Sequence, residues 1–234
     1  MSVGVGGMVR PRSAVELRSH LLAVGRPLAS FRKGDRVRGV VMKGGGLGRG
    51  SDRGHSYSYQ LSEAPGALPP DFRPDLTPAE MLMMGVFEGR YLNDCVSEFP
   101  AEWFLGGLMT GRLSPEGRDP VRCNYFGVAS RQPLSAWREN GWAPSAAREG
   151  RTDDHYHGLL GDPTRNPDER GWFQWYCRYW MGRRLPELDA VQIRRWRAFR
   201  RHAGAIRAGC RPRDLACRPR ERQALLQWAY DPFI

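Results

Sequence analysis

The feature that most constrains this chain is one aromatic block, Gly171-Trp-Phe-Gln-Trp-Tyr-Cys-Arg-Tyr-Trp-Met-Gly182. Asn166-Pro167-Asp168-Glu169 before it has the Pro and acids of a helix start, and Gly182 has the character of a helix end. At helical spacing, Trp172, Trp175, Tyr176 and Tyr179 share one face, while Phe173, Cys177 and Trp180 share another. A helix apolar on most sides has to be buried. The block therefore predicts a central core helix over about 166–182, with the rest of the fold arranged around it.

Helix signals recur on both sides. Thr77-Pro78-Ala79-Glu80 combines a capping residue, Pro at the first helical position and Glu at the third. Phe99–Phe104 opens a second helix. Gln132-Pro133 opens a third, which Asn140-Gly141 closes. A long helix is expected from Pro186 to about Arg207, with Gln192, Trp196, Phe199, Ala203 and Ile206 inward. A last helix opens at Pro219 and buries Ala224, Leu225 and Trp228. The predicted fold class is mainly α, a single compact helical domain over 76–234. Residues 1–75 read as a basic, Gly/Pro-rich, partly extended N-terminal region. One strand is expected at 37–43, and a Pro-rich linker or wrap at about 61–76. Gly44–Gly50 lacks the following helix that a phosphate-cradling loop requires.

Charge is unevenly placed. The chain carries 36 basic and 25 acidic side chains, a net charge of +11. Residues 178–222 hold 14 Arg against four acidic residues, whereas 51–177 are net acidic. A clustered basic stretch suits a polyphosphate partner, because arginine forks grip phosphate oxygens and displace counterions. Arg183, Arg184, Arg194, Arg195, Arg197, Arg200, Arg201 and Arg207 are the candidate nucleic-acid contacts, with DNA as the leading partner. The competing reading pairs these arginines with the acidic middle of the same chain, and a third directs them at an acidic protein partner. Aromatic walls with a few polar handles also describe a pocket for a ligand or base. Trp172, Trp175, Tyr176, Arg178 and Tyr179 are its candidate residues, and a buried Arg178 needs a carboxylate from Asp94, Glu98 or Asp168.

Other chemistry is less specified. Asp154, His155 and His157 could form an acid/base or metal-dependent catalytic group, since two His two residues apart project to one side of an extended segment. No third ligand is evident, so no metal site is assigned and no cofactor is named. Cys210 and Cys217 lack the close paired spacing of zinc or iron–sulfur sites, and ordinary thiols are preferred over a disulfide. The sequence offers no esterase, zincin or nucleotide-loop motif, so whether the protein is an enzyme stays open. No apolar run reaches bilayer length, and the absence of a signal sequence with an odd number of cysteines suggests a cytoplasmic chain with no membrane partner.

The blocks GWFQWYCRYWMGRR (171–184), QIRRW (192–196) and RQALLQWAYDP (222–232) resemble an uncharacterised Trp- and Arg-rich family found in bacteria and eukaryotes. LTPAEMLMMGVFEGRY (76–91) and NYFGVASRQPLSAWRENGW (124–142) belong to the same resemblance. It implies a shared fold for 76–234 and carries over no catalytic role.

Overall fold

The computed structural model describes residues 11–41, 57–117, 120–150 and 155–234. The fold is mainly helical, and the described strands form one antiparallel pair, β1 (Arg36–Gly39) and β2 (Tyr57–Gln60), in register Val37 to Tyr59. The Gly-rich 44–50 segment lies outside the described residues. No helix among the described residues is long and apolar enough to cross a membrane.

The core helix is α7 (Trp172–Trp180), and it is shorter at its start than the sequence predicts. Asn166 accepts from the Asp168 amide, a local turn, and donates to the Leu160 carbonyl. Gly171 then takes φ +80°, a conformation that glycine reaches without a Cβ clash and that a helix excludes. From Trp172 to Tyr179 every side chain is buried. Stacked rings run along the helix, Trp172 on Tyr176 and Trp175 on Tyr179.

Around it stand α2 (Pro78–Met83), with the full Thr77/Glu80 capping box, and α3 (Ala101–Met109), which pack on each other. Next come α4 (Pro120–Cys123), α5 (Leu134–Glu139) and α6 (His155–Gly161). The expected single helix 186–207 is two, α8 (Pro186–Phe199) and α9 (Arg201–Gly209). At the junction, Arg200 and Ala203 donate to carbonyls three residues back, a tightened turn that re-aims the second helix. Finally α10 (Pro219–Gln227) buries Leu225 and Leu226 against α9.

The composition change at residue 75 is not a break in the core. A helix not foreseen in the sequence, α1 (Ala14–Val24), starts with Ser13 accepting from the Glu16 amide while Glu16 accepts from the Arg12 amide. Its Leu17 and Leu21 are buried in the same cluster as Phe31, Val37, Leu61 and Phe72 and the side chains of α7. The Pro-rich stretch is a wrap. Glu63 and Gly66 donate to the carbonyls of Gly182 and Trp180, and Asp75 donates to that of Ala229. Gly182 has φ +107°, and a Cβ there would sit 2.0 Å from the Glu63 carbonyl oxygen. Phe72 meets Trp175, Tyr176, Tyr179 and Trp196 edge-on, with centroids 4.8–5.8 Å away.

Candidate nucleotide-binding cleft

Two of the predicted surface or pocket arginines are interior. Arg178 donates to Glu98 at 2.6 Å and to Asp168 at 2.9 Å, with no side chain of the three exposed. Arg183 closes the group with two bonds to Asp168, at 2.8 and 2.6 Å. The amide of Val40 donates to Glu98, and Tyr57 accepts from Arg183, so the network ties β1–β2 to α7. Burial alone would raise the Asp168 carboxyl, but Arg183 and Arg178 overcome that and hold it below the usual carboxylate value. The two arginines balance two carboxylates, so the competing reading holds for this part of the basic stretch. Arg183 does not belong to a phosphate-facing surface. Asp94, the third carboxylate considered for Arg178, instead takes both ends of Arg170.

The other arginines divide between two flanks. Arg184 lies over the Tyr179 ring at 4.0 Å and donates to backbone carbonyls of Tyr179 and Arg183. Arg197, Arg200 and Arg207 line a groove of about 590 Å³ that also contains Asp71, Asp75 and Asp231. Arg197 is bonded there to Asp71 at 2.7 Å, in an exposed pair. Arg194 is exposed on α8. Arg195 and Arg201 line a different space.

That space is a cleft of about 510 Å³ walled by α5, α7, α8, α9 and α10. Its walls are aromatic. Trp228, just past α10, lies 4.7 Å from Trp172 and is stacked on Phe199 at 4.7 Å. Trp137 of α5 stands across from Trp228 at 6.4 Å. The Arg195 guanidinium is 5.4 Å from both of those ring centroids and donates to Gln192. Gly171, with its positive φ, lies against the Trp137 ring, where a Cβ would come within 3.2 Å. Arg201 is exposed, and His202 beside it packs on Phe199 at 4.2 Å. Burial and then the Arg201 charge hold the His202 imidazole below its usual value. The floor is Arg170, clamped by Asp94 and touching Cys95 Sγ at 3.2 Å.

Of the residues predicted to form a pocket, only Trp172 lines this cleft. Trp175, Tyr176, Arg178 and Tyr179 are packed in the core. The cleft walls come from separate segments of the chain, between Phe87 and Trp228, so helical spacing within one block cannot place them together. The signal available was the set of half-apolar helix ends, Trp137 and Trp228, each just before a turn.

Asp154 lies outside the described residues. His155 and His157 fall on α6, so the extended-segment argument for them does not apply; positions two apart on a helix are about 200° apart around its axis. Among the described residues, no three His, Cys, Asp or Glu side chains are grouped to hold a metal ion. Cys210 and Cys217 form a disulfide, correcting the expectation of free thiols. Their Cα atoms are 5.8 Å apart because the chain turns back between α9 and α10, a proximity that sequence spacing does not reveal. Cys95, Cys123 and Cys177 are free and buried. No protein-family model, no curated protein and no solved structure matches this chain.

Proposed function

We propose that the protein binds nucleic acid, with DNA as the partner, by holding one unpaired base in the aromatic cleft and phosphates on exposed arginines of α8 and α9. The observation that carries this reading is the placement of Arg195 and Arg201 beside the Trp137, Trp172, Phe199 and Trp228 rings. Bases stack on aromatic faces regardless of sequence, each worth about 1–3 kcal/mol, while arginines hold the neighbouring phosphates. A duplex buries its base faces, so the cleft favours single strands or extruded bases. Arg194, exposed on α8 next to Arg195, supplies a further cationic position for a strand leaving the cleft.

The test is a titration of intrinsic Trp fluorescence with short single-stranded and duplex DNA over a series of salt concentrations. Saturable quenching, tighter for single strands and falling steeply with salt, is the expected result. Absence of binding to either form at low salt, or affinity indifferent to salt, overturns the proposal.

A further inference from the structure

The helices α9 and α10 form a hairpin with the cleft at one end and a bridged loop at the other. Arg201 and His202, at the start of α9, and Gln227 and Trp228, at the end of α10, line the cleft. The nine residues of α9 separate them from Cys210, about 13 Å at 1.5 Å per residue. There Cys210 is joined to Cys217. Every residue from Arg211 to Ala216 is exposed, as are Arg218 and Arg220.

This loop is cationic, and its acids are engaged. Between positions 210 and 221, four arginines stand against Asp214 and Glu221. Asp214 Oδ1 accepts from the amides of Ala216 and Cys217, and Glu221 takes Arg218 at 3.4 Å. Arg211, Arg213 and Arg220 have no carboxylate partner among the described residues. The loop is also held from beneath. Arg222, fully buried, donates to the Asp214 and Cys217 carbonyls at 3.0 and 2.8 Å. The bridge and Arg222 thus fix an exposed segment in one shape, with Arg213 kept at φ +64°. Guanidinium groups carried on a fixed backbone lose less freedom on binding than those on a loose one.

We infer that the Cys210–Cys217 loop is a preorganised contact for the phosphate backbone of the strand whose base occupies the cleft. This rests on the base-binding reading above and extends its footprint along the hairpin. A strand covers the distance within about four nucleotides at the 3.4 Å rise of stacked bases. Arginine forks suit phosphate oxygens, and the acids of the loop are already taken up by its own amides and by Arg218.

Titrations of Trp fluorescence compare an oligothymidylate dinucleotide, too short to reach the loop, with a decanucleotide that reaches both ends. The double variant Arg211→Gln, Arg213→Asn removes two charges, and asparagine tolerates the left-handed backbone at 213. It should leave the dinucleotide titration unchanged, weaken the decanucleotide about tenfold and lower its salt slope by about 1 to 2. The double variant Cys210→Ser, Cys217→Ser keeps every charge and opens the loop; its decanucleotide affinity should fall about threefold at an unchanged salt slope. Native decanucleotide affinity and slope in the arginine variant overturn the loop contact, whatever the cleft binds. Native affinity in the serine variant overturns its preorganisation. A decanucleotide bound through the loop, with no dinucleotide quenching, retains the loop contact and overturns the base in the cleft. No strand bound at low salt overturns both. Polyglutamate bound in place of DNA, and lost in the arginine variant, overturns the phosphate assignment in favour of an acidic protein.

Discussion

The guanidinium of Arg178 and the carboxylate of Glu98, 80 residues apart in sequence, meet at 2.6 Å with neither side chain exposed. Asp168 and Arg183 complete a neutral group of four charges in the interior. Such a group is held by mutual attraction and by hydrogen bonds that replace lost hydration, and each member depends on the others.

Removing one member should therefore cost more than removing two. Arg178→Met leaves the Glu98 carboxylate buried without its cation and is expected to destabilise the fold by about 3–5 kcal/mol. The double variant Arg178→Met, Glu98→Leu should lose less than the sum of the two single changes. Urea unfolding of the four proteins gives the coupling directly, and additive losses would show that the pair is not coupled.

Asp189 gives a pH dependence of defined sign. Burial pushes its carboxyl up to about 6, although Trp175 Nε1 and the Leu185 amide donate to it. Its folded value lies above the unfolded one near 4, so its contribution is present below pH 4 and lost as pH rises through about 6. The expected difference is roughly 2–3 kcal/mol between those limits. Asp168, held below its usual value, acts oppositely: its contribution is present above about pH 4 and lost as the solution is acidified further. Unfolding measured from pH 4 to 7 should show Asp189→Asn gaining on the native protein as pH rises. A constant difference would contradict the assignment.

The Cys210–Cys217 bridge closes a short loop, with a sequence separation of 7. Constraining the unfolded chain over so few residues is worth about 2 kcal/mol. Thermal unfolding with and without reductant should differ by about 4–8 °C, and Cys210→Ser should match the reduced protein without responding to reductant.

Arg201 is exposed beside the cleft, and Arg183 is buried. Arg201→Ala should weaken single-strand binding by several-fold and reduce the slope of log affinity against log salt by about 1. Thermal unfolding should be nearly unchanged. Unaltered binding at low salt would remove Arg201 from the interface.

Local signals in the sequence carry the helices well. The Thr77/Glu80 box, the Pro at 186 and 219 and the aromatic density of α7 each act within a few residues, and each element stands where its signal lies. Of the three carboxylates that the sequence offers Arg178, it contacts two, Glu98 and Asp168. The start of α1 was as readable, since Ser13 and Glu16 have the same spacing as Thr77 and Glu80, but the surrounding Gly- and Arg-rich composition obscures it. The cleft is different in kind. Helical periodicity says that Trp172 and Phe199 turn inward, not that Trp137 and Trp228 leave space before them. A cavity belongs to several elements at once and has no pattern within any one of them.

Phe72 occupies the junction of four rings from α7 and α8, although it comes from a Pro-rich stretch that composition alone would mark as dispensable. The wrap is thus a plug. Proteolytic trimming that removed it would not release a smaller working unit from residue 76 onward. It would uncover a sticky aromatic socket on α7 and α8, so the protein's lifetime in a cell would hinge on a segment that lines no part of the cleft yet holds two of the helices that shape it.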